Sequence, residues 1–225
     1  MLVLDTATPA VTAAVVRIWP RAIELVSARV ATDPSAARRH GELLAPSVAA
    51  VLAEAGLAAG DLAAVVAGTG PGPFTGLRVG LVTAAAFADA LGIPAYGVCS
   101  LDGLGGAMRG AGRVLVATDA RRREVYWAAY ADGARLAGPA VDRPAELAAR
   151  LPSLGVTVAC GAGARQYTDV LGLPVTGPES PDPVALAAVA AEAVRSRAQA
   201  GPLTPLYLRH PDAAEPGRPK AVTPA

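Results

Sequence analysis

The chain has 225 residues, enough to bury a core as one large domain or as two small lobes. Apolar residues make up 52% and aromatic ones 4%, so a globular fold is expected, packed through Ala, Leu and Val at close contacts between elements. Against 20 basic side chains stand 19 acidic ones, and a net charge of +1 gives no long-range field for extended nucleic-acid binding.

In chain order, Leu2–Asp5 reads as a short buried strand, followed by strand candidates at 11–18 and 24–30. His40 to Ala55 reads as a helix with Leu44, Ser47, Val48, Val51 and Ala55 on one stripe, and Pro46 is tolerable only in its early turns. Asp61 to Gly68 reads as a strand leading into the turn Gly68-Thr-Gly-Pro-Gly-Pro. Thr75 to Leu91 is a strong helix, closed by Gly92 and Pro94. Pro94 to Val98 is another strand, and Ser100 reads as the N-cap of a short helix that dissolves at Gly103, Gly105 and Gly106. After a linker at 109–113 the opening returns: Val114–Asp119 resembles Leu2–Asp5, and Glu124–Tyr130 resembles Val11–Val16. Short elements follow at 144–151, 156–159 and 183–198. The expected organisation is an α/β fold of two lobes, 1–108 and 109–210, with a disordered Pro- and Ala-rich tail at 211–225. A duplicated lobe with an acid at the tip of its first strand points to the actin-like architecture, with mixed sheets and the two tips facing across a cleft.

The chemistry that these residues allow is narrow. Asp5, Thr6 and Thr8 on one lobe and Asp119 on the other could meet a nucleotide, although Asp5 could equally cap its own hairpin. The 119–124 turn lacks the glycine and hydroxyl that wrap a phosphate, and Arg121, Arg122 and Arg123 read as a solvated loop. Gly70 and Gly72 before a helix could take an anion, but Leu77-Arg78 stands where a P-loop carries lysine and a hydroxyl. No metal is expected: His40 reads as a cap or surface residue, and His210 lies in a tail. Cys99 and Cys160 close apolar runs and read as unreactive buried thiols. Gly76, Gly80, Ala84 and Ala88 recur every fourth residue and form a bare ridge. That ridge could pack on the lobe's own sheet, or join the His40 helix in a surface for a partner. No basic leader and no apolar run near ~20 residues is evident, so a cytoplasmic chain without membrane contact is expected.

The run Gly70-Pro-Gly-Pro-Phe-Thr-Gly-Leu-Arg-Val-Gly-Leu-Val-Thr-Ala resembles the TsaB (YeaZ) family. So do Leu4-Asp-Thr-Ala-Thr8, His40-Gly-Glu-Leu-Leu-Ala-Pro46, the 119–127 segment and Pro205-Leu-Tyr-Leu-Arg209, in order over about residues 1 to 210. The resemblance implies an actin-like (ASKHA, ribonuclease H-like) fold. It also implies a non-catalytic subunit in forming N6-threonylcarbamoyladenosine next to the anticodon of tRNA. Its implied partners are a TsaD-like catalytic paralogue, bound through first-lobe helices, and a TsaE-like ATPase. A homodimer forms through the same surface when the chain is alone, and tRNA is met only through the complex. No tightly bound cofactor is implied, and a nucleotide at the partner interface stays open. On this basis the docking surface is expected at Leu44, Ser47, Val48, Val51, Gly76, Gly80, Thr83, Ala84 and Phe87, and the anion contacts at Asp5, Thr6, Gly72 and Asp119. Two departures stand out. Glu42 and Leu44 occupy positions where a TsaD-like metal site would have its second histidine, and Pro73 replaces a common serine. The alternatives are a stand-alone actin-like ATPase or carbamoyltransferase, and a glycoprotease-like metallopeptidase.

Overall fold

Leu2, Val3 and Leu4 are apolar on both sides of a strand, which suits a central strand covered on both faces. In the computed structural model, which describes residues 1–32, 36 and 39–209, this strand β1 (Leu2–Asp5) is central to a five-stranded sheet. β2 (Val11–Ile18) and β3 (Ile23–Ala31) form an antiparallel meander on one side of it. β4 (Val65–Gly68) and β5 (Ala95–Val98) lie parallel to it on the other, giving the order β3-β2-β1-β4-β5. The second sheet repeats the plan: β6 (Arg113–Asp119), β7 (Val125–Ala131), β8 (Ala134–Asp142) and the short parallel β9 (Val158–Cys160), in the order β8-β7-β6-β9.

Helices α1 (His40–Glu54) and α2 (Phe74–Leu91) cover one face of the first sheet. Their inward residues Leu44, Val48, Val51, Leu81 and Ala84 join Leu2, Leu4, Val11 and Val65 in one buried cluster. α2 ends where Gly92 turns left-handed (φ 64°) and Ile93 N–H donates to Ala88 O at 3.0 Å.

The remaining helices exchange places. α3 (Ser100–Ala107) follows the first sheet in sequence, yet Leu101 and Leu104 pack on Val114, Val116 and Tyr130 of the second. α7 (Pro183–Arg195) comes last, yet Leu186, Ala187 and Ala190 cover Val3, Ala14, Val16 and Val66 of the first. Asp182 starts α7, its side chain accepting from Ala185 N–H at 2.7 Å. α4 (Pro144–Leu154), α5 (Ala162–Gln166) and α6 (Thr168–Leu171) close the far face of the second sheet around Trp127. A cut between 108 and 109 therefore divides the sheets but not the helices that cover them.

Several local expectations change. α3 does not dissolve at its glycines: a Cβ at Gly103 would stand 2.7 Å from Leu186 Cγ, and one at Gly105 would overlap the Tyr130 ring. Close packing of α7 and Tyr130 holds the glycines helical, which their propensity alone would not do. β4 starts at Val65, because Ala59–Asp61 forms a single 3-10 turn. β8 has no counterpart in the sequence reading. Gly138-Pro139 interrupts its pattern, and it is tolerated because β8 is an edge strand with irregular register opposite Trp127 and Ala129. The expected tail at 211–225 and His210 lie outside the described residues.

Candidate docking face and interlobe cleft

The two strand tips share one local design. Asp5 Oδ1 accepts the Ala7 N–H at 3.0 Å, and Asp119 Oδ1 accepts the Arg121 N–H at 2.9 Å, so each aspartate caps its own hairpin. Their surroundings differ. The second Asp5 oxygen accepts the Ser100 hydroxyl at 2.5 Å, and Gly68 packs so closely that any side chain there would overlap it. Ser100 also holds the glycine turn: its Oγ accepts Gly70 N–H at 3.1 Å and its N–H donates to Gly70 O at 2.7 Å. Asp5 is 1% exposed, and burial pushes its carboxyl up to about 6, against the opposing pull of the Ser100 and Ala7 hydrogen bonds and nearby His40.

Thr6 is also committed inward. Its hydroxyl donates to Gly76 O at 2.7 Å and accepts Gly80 N–H at 3.0 Å, bridging two backbone groups one helical turn apart. Gly72 is buried against the Ala7 carbonyl, where a Cβ would not fit. Of the four residues expected to meet an anion, Asp5, Thr6 and Gly72 are thus enclosed by their own lobe. Asp119 reaches the cleft between the tips, which holds about 550 Å³. Thr8, His40 and Thr75 line it from the first lobe, and Arg121 lines it from the second beside Asp119. His40 Nε2 lies 3.0 Å from Thr8 O, so this histidine joins the start of α1 to the β1–β2 turn. The role of His40 and Arg121 in the cleft was not legible in the sequence, because it depends on how the two tips meet. Arg121, Arg122 and Arg123 hold left-handed φ values of 63°, 51° and 62°. Their side chains and the spent Arg121 N–H leave no glycine nest for a phosphate on this turn.

The small-residue ridge faces inward. A Cβ at Gly76 would stand 2.7 Å from Thr6 O, and one at Gly80 would stand 2.5 Å from Thr6 Oγ1. Ala84, Leu44, Val48 and Val51 are buried in the first-lobe core. This corrects the expected docking surface: those six positions serve the chain's own sheet, because a bare helix face lets the β1 tip approach the backbone. Ser47, Thr83 and Phe87 are half-buried at the margins of the two helices. Ser47 Oγ donates to Leu43 O at 2.7 Å.

The opposite faces are open. On α2 they carry Phe74, Thr75, Arg78, Val82, Ala85 and Ala86, with Val82 66% and Phe74 47% exposed. On α1 they carry Ala45, Pro46 and Ala49. α2 has a mean hydropathy of 1.3, so by length and composition alone it could cross a membrane, yet only 28% of it is buried.

The two thiols are held in their protonated form. Burial, joined by the Asp102 carboxylate, pushes the Cys99 thiol up to about 11, and burial alone pushes Cys160 up to about 12. Among the described residues no group of His, Cys, Asp and Glu could hold a metal ion.

Two mixed sheets of like topology, meeting at acid-tipped hairpins, define a two-lobed actin-like protein of the ribonuclease H-like class. YeaZ from Pseudomonas aeruginosa superposes with a TM-score of 0.75 at 27% identity, over 92% of this chain and 98% of that one. A model of the TsaD family (tRNA N6-adenosine threonylcarbamoyltransferase) matches residues 30–199. The tRNA threonylcarbamoyladenosine biosynthesis protein TsaB of Escherichia coli is 39% identical over 133 residues, covering 58% of this chain and 54% of that protein. An uncharacterized protein of Mycobacterium tuberculosis is 51% identical over 213 residues, 95% of this chain and 93% of its own length. The chain belongs to the TsaD family as that model defines it and, within it, to TsaB (YeaZ), a family of threonylcarbamoyladenosine biosynthesis.

Proposed function

We propose that this chain is a non-catalytic subunit that docks a TsaD-like threonylcarbamoyltransferase through the outward faces of α1 and α2 and holds it in working form. The observation that carries the reading is α2, the apolar helix that leaves Phe74, Val82, Ala85 and Ala86 in solvent. A helix surface of this kind, apolar and in part small-residue with Arg78 near its start, is suited to close contact with other helices. The inward commitment of Asp5 and Thr6, and the raised thiol pKa values, favour a binding role over a chemical one. Without the paralogue, the same face pairs two copies of the chain. A TsaE-like ATPase and tRNA join through the complex.

The test is co-expression with the TsaD-like paralogue of the same organism, followed by measurement of modified tRNA with and without this chain. Co-elution of the two chains, and modification that depends on both, are the expected results. Separate elution, or ATP turnover by this chain alone that Asp119→Ala abolishes, would support the rival ATPase.

A further inference from the structure

The last described residues, 203–209, run along the first lobe and end on the second. Leu203 packs with the first-lobe core beside Gly97. Leu206 N–H donates to Thr69 O at 2.8 Å, tying the segment to the glycine turn. Tyr207 stacks on Phe74 at the start of α2, with ring centroids 4.9 Å apart, and the Arg78 guanidinium sits 3.8 Å from the same Phe74 centroid. Arg209 then crosses to the β6–β7 turn. Its guanidinium donates to Ala120 O at 2.8 Å and pairs with Glu124 at 3.3 Å.

We propose that residues 203–209 are an interlobe latch that couples the exposed first turn of α2 to the β6–β7 turn across the cleft. Four physical features make it one. It is anchored by backbone to one lobe and by a charged fork to the other. Its grip on the second lobe lies beside Asp119 and Arg121, the residues that line the cleft from that side. Its grip on the first lobe includes an aromatic ring lying on the open α2 face, where a partner would touch it. Its Tyr207–Phe74 contact joins two exposed rings, which part at little cost compared with either core. A partner seated on Phe74 therefore meets Tyr207, and a change there is felt at the turn that Arg209 holds. That last coupling rests on the docking face proposed above, whereas the latch itself does not.

The experiment is amide hydrogen exchange on the full chain with Arg209→Ala and Tyr207→Ala. Tyr207 is exposed and Arg209 half-buried, and circular dichroism melts confirm that each variant stays folded. Cutting the second-lobe anchor should speed exchange about tenfold in the first-lobe turn around Thr69 as well as at 119–125. Cutting the first-lobe stack should speed exchange at 119–125 by a similar factor, since coupling between two sites is reciprocal. Arg209→Lys, which keeps the charge opposite Glu124, should restore part of the protection. Changes confined to the mutated side in both variants would overturn the latch. The same two variants are then titrated with the TsaD-like partner. No binding by the parent chain would sink the docking reading and leave the exchange result to decide the latch.

Discussion

The two lobes start from the same plan and end with different surroundings at their strand tips and helices. Asp5 and Asp119 cap their hairpins in the same way, through the amide two residues on. In each lobe a glycine turn follows the fourth strand in sequence and leads into a helix, and glycines press on the tip of the first strand or the residue after it: Gly163 on Thr118, Gly76 on Thr6. In the first lobe that helix is α2, 18 residues long, with one face on the sheet and an apolar face in solvent. In the second it is α5, five residues long, folded back against its own sheet. The two strand tips are alike, while the helix after the fourth strand differs in length and in what it leaves exposed. Asp5 is buried with Ser100 and Gly68 against it, whereas Asp119 is only half-buried.

The inward and outward faces of α2 can be separated by mutation. Gly80→Leu has the largest expected effect: the new Cβ would crowd the Thr6 hydroxyl and force β1 away from the helix. A loss above about 4 kcal/mol, seen as insoluble or molten protein by circular dichroism, is expected. A cooperative melt near that of the parent chain would put the ridge back on the surface.

Asp5 sharpens the contrast between the tips through pH. Its carboxyl rises from an ordinary 3.8 to about 6 on folding, so the folded chain binds this proton more tightly than the unfolded one. The stabilisation from protonated Asp5 is complete below about pH 3.8 and is lost as pH rises through about 6. The amplitude is on the order of 3 kcal/mol. Thermal midpoints between pH 4 and 7 should fall less steeply with rising pH in Asp5→Asn than in the parent. Superimposable pH profiles would mean that the parent carboxylate stays solvated.

Val82→Asp addresses the outer face. The site is 66% exposed, so folding should shift by under about 0.5 kcal/mol. Binding to the TsaD-like paralogue, read by calorimetry, should weaken at least about tenfold, because a carboxylate would be desolvated among small apolar groups. Unchanged affinity moves the interface elsewhere. Asp119→Ala is the smallest effect expected. The carboxylate is partly solvated and loses one turn hydrogen bond, worth about 1 kcal/mol or less in chemical denaturation. A loss as large as that of a buried site would show that the two tips are alike after all.

Local pattern was enough for much of the fold. The apolar run of β1, the three-and-four spacing of α1, the glycine closing α2 and the returning acid-tipped strand at 114–119 each read directly, because each is a property of a few adjacent residues. β8 did not read, since Gly138-Pro139 breaks its alternation and only an edge position excuses it. The site was half legible. That α1 carries an apolar stripe and α2 a small-residue one was plain in the order of residues, and so was the aspartate at each tip.

Which stripe faces the sheet was decided by the tertiary structure. Gly76 and Gly80 have no side chain with which to signal a direction, and the Thr6 hydroxyl that fills the space beside them comes from some 70 residues away. Crossed coverage by α3 and α7, the raised Asp5 carboxyl and the strap over Phe74 are likewise products of segments far apart in the chain. Helix periodicity and turn chemistry act over a few residues and are written in the sequence. Burial and close approach depend on what arrives from elsewhere, and they exist only once the chain has folded.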